Sequence, residues 1–221
     1  MDFSSAEENY LKAIYKLSEK SEVVSTNAIA ELLKTSPASV TDMLKKLDGK
    51  HAVNYIKYKG AQLSESGKKS ALWLIRKHRL WEVFLVEKLN FKWDEVHEVA
   101  EQLEHIRSKR MIERLDEFLG YPTVDPHGDP IPDAEGKFHS QPAICLSNAA
   151  LHVSLTVVAV KDSSQAFLKY LDKIEVGIGT EMQVIERIEF DESLELKLDN
   201  GRQLLVSHQV SENIMVIGNK S

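Results

Sequence analysis

Two imidazoles and two carboxylates recur at a spacing that places them on one side of a helix. His97, Glu101, Glu104 and His105 stand at i, i+4, i+7 and i+8. At about 100° per residue they fall within one sector about 100° wide. Val96, Val99, Leu103 and Ile106 take the other side, so the spacing predicts a helix over 94–106. Upstream, His78 and Glu82 form a second i, i+4 pair. If the two helices pack antiparallel, six nitrogen and oxygen donors converge, enough for one or two metal ions. Any single histidine is more often an ordinary surface or core residue; the joint arrangement points to metal. With no thiolate in the set, a harder ion such as Mn2+ or Fe2+ is favoured, although such donors also take Zn2+, Co2+ and Ni2+.

A second chemistry lies nearer the N-terminus. The chain carries a net charge of −6, but residues 1–79 hold 14 Lys/Arg against 9 Asp/Glu, and 34–79 hold 11 against 3. A basic field of that kind attracts polyanions whatever the whole chain carries. Within it, a helix from Pro37 to about Lys50 buries Val40, Met43, Leu44 and Leu47 and is capped by Ser36. Its other face offers Ala38, Ser39, Thr41 and Asp42 early and Lys45 and Lys46 later. Short side chains near base edges and cations near phosphates suit a helix lying in a major groove. Thr26 opens the preceding short helix, in which Ile29, Leu32 and Leu33 point inward. A hairpin over 53–64 follows and carries Lys57 and Lys59 at its tip. Helix, helix, recognition helix and basic wing make a winged helix-turn-helix, although such short helix pairs also occur as plain packing units. Thr26, Ser36, Pro37, Ala38, Ser39, Thr41, Asp42, Lys45, Lys46, Lys57 and Lys59 are the candidate DNA contacts.

The remaining elements position these two sets. Ser5 and Glu8 have the spacing of a capping box that starts a first helix. A long helix over 66–89 carries His78 and Glu82, and a shorter one covers 108–119. Five of the six prolines fall within 122–142, the clearest boundary. Beyond it, a strand at 153–160, a helix at 163–171 and short alternating runs suggest a small β-barrel. Cys145 is the only cysteine, which excludes an internal disulfide, a thiolate zinc cluster and a CxxC redox pair. No apolar run reaches the roughly 18–20 residues that span a bilayer, and the acidic N-terminus is unlike a secretory signal. A cytoplasmic setting is expected.

The runs E-N-Y-L-K-A-I-Y (8–15), S-V-T-D-M-L-K-K-L (39–47), L-S-E-S-G-K-K (63–69), R-K-H-R-L-W-E (76–82), V-H-E-V-A-E-Q-L-E-H (96–105) and G-D-P-I-P (128–132) carry a resemblance. Along nearly its whole length the chain resembles the diphtheria toxin repressor family of iron- and manganese-dependent regulators, in the long form with a C-terminal SH3-like domain. The resemblance implies a mainly α fold with small β parts. It comprises a winged helix-turn-helix over 1–72, a helical metal-binding and dimerisation domain with a Pro-rich linker over 73–143, and an SH3-like, FeoA-type β-barrel over 144–221. It implies a primary metal site from Asn9, Glu101, Glu104 and His105, and a second from His78, Glu82 and His97. By a gapped alignment, Asp162 and Gln165 match the pair that completes the second site. Iron-type members carry cysteine where this chain has Glu101, so the resemblance implies Mn2+ before Fe2+. Residue 9 is Met in iron-type and Asp in manganese-type members; here it is Asn9.

The implied function is a homodimeric, metal-activated repressor that binds a palindromic double-stranded operator at metal-uptake genes, with no membrane partner and no catalysis. Two rivals stand beside it. A carboxylate-bridged di-metal hydrolase or oxidase also uses His/Glu clusters on paired helices, and a metal-blind winged-helix regulator would use the His/Glu face only structurally.

Overall fold

The computed structural model describes residues 3–139 and 142–219. They form two compact units. The first comprises residues 3–78 with Glu101–Lys109 and Pro132–Phe138; the second comprises Arg79–Ala100, Arg110–Ile131 and residues 142–219.

The first unit begins with α1 (Ser5–Ser18), whose capping box is one residue earlier than the sequence spacing suggested. Ser4 is the N-cap: its hydroxyl accepts from Glu7 N–H, and the Glu7 carboxylate accepts from Ser4 N–H. The shift matters because it buries Glu7 and leaves Glu8 to turn toward other partners. Helices α2 (Thr26–Leu32) and α3 (Pro37–Gly49) follow, capped by Ser25 and Ser36. Strands β1 (Val53–Ile56) and β2 (Gly60–Leu63) pair antiparallel with Ile56 opposite Gly60. Leu11, Ile14, Ile29, Val40, Leu44, Leu47 and Val53 form the shared core. Leu32, expected inward, is 40% exposed; Ala30 takes the inward place. Gly60 is obligatory by space as well as conformation, since a Cβ there would meet the Val24 carbonyl oxygen at 1.9 Å. That close approach lets Val24 bridge Ala61 and seats the wing against the helices.

The long helix α4 (Glu65–Leu89) contributes residues to both units, as does α5 (Val96–Leu103). Helix α5 is shorter than the 94–106 span read from periodicity. Glu104 and His105 lie in the turn after it, where Ile106 N–H bonds the Leu103 carbonyl. Release from the helical repeat frees these two side chains from the single sector that spacing assigned them. Helix α6 (Lys109–Phe118) follows.

The second unit is built on a six-stranded antiparallel sheet in the order β3-β8-β4-β5-β6-β7. Its strands are β3 (Ile144–Cys145), β4 (Ser154–Val160), β5 (Glu181–Arg187), β6 (Leu194–Leu198), β7 (Gln203–Val206) and β8 (Ile214–Gly218). Alternating inward residues such as Leu155, Val157, Met182, Val184, Leu194 and Leu196 form its core, with Leu168 and Leu171 of α7 (Gln165–Ile174). Helix α8 (His208–Glu212) precedes β8. Among the described residues no helix is long and apolar enough to cross a membrane.

Glu7 ties α1 to α3. Buried at 1% exposure, its carboxylate lies 2.9 Å from Lys50 Nζ and 3.3 Å from Lys46 Nζ. Burial pushes its pKa up, but the hydrogen bonds from Lys50, Ser4 and Lys46 outweigh that and hold it at about 2. A carboxyl depressed in the folded state contributes stability that is present above its ordinary value of 4.5 and lost as pH falls through about 2. Glu7→Gln should lower stability by about 1–3 kcal/mol at neutral pH. In urea titrations the gap from wild type should close as pH falls from 4.5 to about 2; a constant gap would show that charge is not what Glu7 contributes.

Candidate metal centres and nucleic-acid face

In the first unit, Glu104 is the centre of a buried polar cluster. Its side chain is 1% exposed, with Oε2 at 2.5 Å from His78 Nδ1 and 2.7 Å from Lys12 Nζ. Lys12 Nζ is also 3.3 Å from His78 Nδ1. Burial pushes the Glu104 carboxyl up, but the His78 hydrogen bond and the Lys12 charge bring it below the ordinary range. Beside it, His105 Nδ1 donates to Glu8 Oε2 at 2.6 Å, and His105 Nε2 lies 3.9 Å from Glu104 Oε1. Glu8 is in turn 3.7 Å from Nζ of Lys77, whose pKa burial pulls down against the opposing pull of Glu8 and Glu104. Two carboxylates and two imidazoles thus stand in two neighbouring pairs, Glu104–His78 and Glu8–His105, supplied by α1, α4 and the turn after α5. Such a set fits Mn2+ or Fe2+. Asn9 and Glu101 are both exposed. Glu8, one residue before Asn9, is the α1 carboxylate that faces His105; the earlier capping box is the signal that could have pointed to it.

The second unit brings together a trio that sequence reasoning missed. Glu82, Asp125 and His127 are all buried, and they can offer ligand atoms within 4.8 Å of one another. His127 Nε2 is 2.8 Å from the Trp93 carbonyl oxygen. A carbonyl only accepts, so Nε2 carries the proton and Nδ1 presents a lone pair toward Glu82 and Asp125, each 3.9 Å away. A carbonyl that fixes the tautomer of a histidine in this way is a recurrent support for metal ligation. Asp125 Oδ1 accepts from the backbone N–H of His127 and of Asp129, and Arg79 flanks Asp125 and Asp129 at 3.6 and 3.2 Å. Gly128, at φ 84°, closes this turn against β4, where a Cβ would meet the Val158 oxygen at 2.0 Å. The run D-P-H-G-D (125–129) held three candidate ligands beside a turn glycine, which was the available clue.

His97 is exposed, with Nδ1 at 3.3 Å from Glu82 Oε1. Asp162 caps its own turn by accepting from Ser164 N–H, and Gln165 is the first, exposed residue of α7.

The nucleic-acid candidates divide. Thr26, Thr41, Lys45, Lys57 and Lys59 line one concavity of the first unit, with Ser25, Asn27, Tyr55 and Tyr58. Ser36, Pro37, Ala38, Ser39 and Asp42 are exposed on α3 outside that lining. Thr41 donates its hydroxyl to the Pro37 carbonyl, and Asp42 pairs with Lys45 at 3.3 Å. Lys46 turns back to Glu7, so its charge is shared with the fold. Tyr58, overlooked in the sequence, stands 92% exposed at the wing tip with Lys57 Nζ 5.0 Å from its ring centre.

The family model "Iron dependent repressor, N-terminal DNA binding domain" matches residues 2–61. "Iron dependent repressor, metal binding and dimerisation domain" matches 64–133, and the FeoA domain matches 144–217. The regulator MntR of Oceanobacillus iheyensis is 36% identical over 114 residues, 52% of this chain and 77% of that protein. The chain belongs to the iron-dependent repressor family. The iron-dependent repressor IdeR of Mycobacterium tuberculosis is 34% identical over 125 residues, 57% of this chain and 54% of its own. The match thus spans about half the length of that relative. A solved manganese-dependent transcriptional repressor in complex with manganese superposes with a TM-score of 0.84 at 33% identity, over 96% of this chain and 100% of that one. The family is one of DNA-binding, metal-dependent transcriptional regulators.

In this family member the Glu82–Asp125–His127 trio holds two buried carboxyls in one pocket. Burial, then the charges of Glu82 and Asp129, push the Asp125 pKa well above 3.8, against the pull of Arg79. A carboxyl raised in the folded state contributes stability below its unfolded value, lost as pH rises toward its folded one. Asp125→Asn should therefore raise the thermal midpoint of chelator-treated protein at neutral pH, with the gain fading toward pH 3.8. A variant less stable than wild type at pH 7 would show that the Asp125 charge is already compensated.

Proposed function

We propose that this chain is a Mn2+-responsive transcriptional repressor that acts in the cytoplasm as a homodimer on a palindromic operator. The observation that carries the reading is the Glu104–His105 cluster. It links α1, the first helix of the winged unit, to α4 and to the turn after α5 through carboxylates and imidazoles that a divalent ion can share. The primary site would draw on Asn9, Glu101, Glu104 and His105, with Glu8 available from α1. The second site that the family resemblance implies would use His78, Glu82 and His97, completed by Asp162 and Gln165. Glu82, Asp125 and His127 offer a further set of donors. When bound, the ion supplies a divalent charge that several donors share.

The chain's own residues do the rest. Glu8 positions α1 against the cluster, and α3 and the wing present the DNA-facing side chains. Lys45, Lys57 and Lys59 meet phosphates; Ser39, Asp42 and the N-terminal turn of α3 face base edges. In a dimer the two recognition helices must lie about 34–36 Å apart, or a multiple, to read successive turns. The division into 1–72, 73–143 and 144–221 assigns DNA binding, metal binding with dimerisation, and an SH3-like accessory domain. Glu101 in place of a thiolate supports Mn2+ over softer ions.

The test is selection of bound duplexes from a random pool with Mn2+, followed by affinity measurements with Mn2+, anaerobic Fe2+, Zn2+ or chelator. Affinity should rise with Mn2+ and collapse with chelator. Glu104→Gln and His105→Ala should keep the dimer and lose most of the metal response; a full response in both would sink the primary-site assignment. Lys57→Ala and Lys59→Ala should each weaken all sequences alike and reduce the salt slope by about 1 per lost phosphate contact. A changed sequence preference at constant salt slope would instead place the wing on base edges.

A further inference from the structure

The Glu104 cluster already contains a cation. Lys12 Nζ is 2.7 Å from Glu104 Oε2 and 3.3 Å from His78 Nδ1. That oxygen already accepts from His78 Nδ1 and Lys12 Nζ, which take up its two lone pairs, so a divalent ion that bonds it must displace one of them. The ion and the ammonium compete for one oxygen. The cluster's second ammonium, Lys77, pairs with Glu8 and is 3% exposed at its side chain, so it has no route to water. Lys12 differs. Its side chain is 24% exposed, on the face of α1 that Glu8 shares one turn earlier. A long flexible stem at that depth can lift its head into solvent while the stem stays packed.

We propose that Lys12 is a tethered cation that competes with the divalent ion for Glu104, and that loading the site expels its side chain into solvent. The inference rests on the reading of this cluster as a metal site. In the empty cluster two carboxylates, Glu8 and Glu104, already face two ammoniums, Lys12 and Lys77, with His78 and His105 beside them and the Arg107 charge acting on Lys77. Metal must therefore replace a charge that is already satisfied. That sets the concentration at which the site fills and keeps α1 anchored while it is empty.

The test uses the full chain and Mn2+ alone, with free Mn2+ followed by electron paramagnetic resonance. Lys12→Met, which keeps the apolar stem and removes the charge, should tighten Mn2+ binding by about tenfold, as for a coupling of modest size. Lys12→Arg, which keeps the charge, should bind no more tightly than wild type. Glu104→Gln serves as the separate check on the site: if it leaves Mn2+ binding intact, the metal-site reading fails and this inference with it. If Glu104→Gln abolishes binding while Lys12→Met binds like wild type or more weakly, the competition is overturned and the metal site stands. A measurement on the unaltered protein guards against a variant that does not fold. Brief acetylation with acetic anhydride, read by peptide mass spectrometry, should modify Lys12 several-fold faster with Mn2+ than with chelator. Equal or slower modification in Mn2+ overturns the proposal.

Discussion

A buried carboxylate must be given a cation or a proton, and the two ligand clusters of this protein answer that constraint differently. Around Glu104 the protein supplies donors from within: an imidazole N–H and an ammonium reach the same oxygen, and the carboxyl pKa stays low despite near-complete burial. Around Asp125 the Arg79 charge lies farther off and is shared with Asp129, and burial with the charges of Glu82 and Asp129 pushes the carboxyl pKa up. The first cluster is compensated when empty, and the second carries a latent demand for positive charge.

The DNA-facing elements depend on the same accounting. Helix α3 is held to α1 by Glu7, whose carboxylate collects Lys46 and Lys50 while closing the N-terminus of α1. Two lysines that composition alone assigned to the basic field are therefore partly spent on architecture. The charge left for a polyanion concentrates on Lys45, Lys57 and Lys59 around one concavity. Local geometry, rather than the count of basic residues, selects the cations that can face a phosphate.

Much of this was legible in the residues. Apolar spacing located every helix of the winged unit, because a strong 3.6-residue repeat and Ser/Pro caps leave few alternatives. The hairpin over 53–64 followed from its turn. The clustering of His and Glu side chains was legible from their spacing. Periodicity extended α5 through Glu104 and His105, whereas the helix stops at Leu103 and both side chains swing clear of its repeat. Asp125 and His127 escaped because they sit in a turn, where no period marks which residues face inward. The capping box was read one residue late, which cast the Glu8 carboxylate that faces His105 as a structural one.

His127 does two jobs through two different parts of itself. Its ring faces Glu82 and Asp125, while its backbone oxygen accepts the N–H of Val160 at the end of β4. In mechanical terms the residue is a rivet through the ligand turn and the sheet, seated where Gly128 lets the two backbones touch. Nothing that shifts the imidazole can leave the strand wholly at rest. A chain cut before the sheet would strip the rivet of its backing plate, so removing the C-terminal segment is not a neutral trim of an appendage. It would loosen the buried turn from behind, and ligand geometry at residue 127 would be the first casualty.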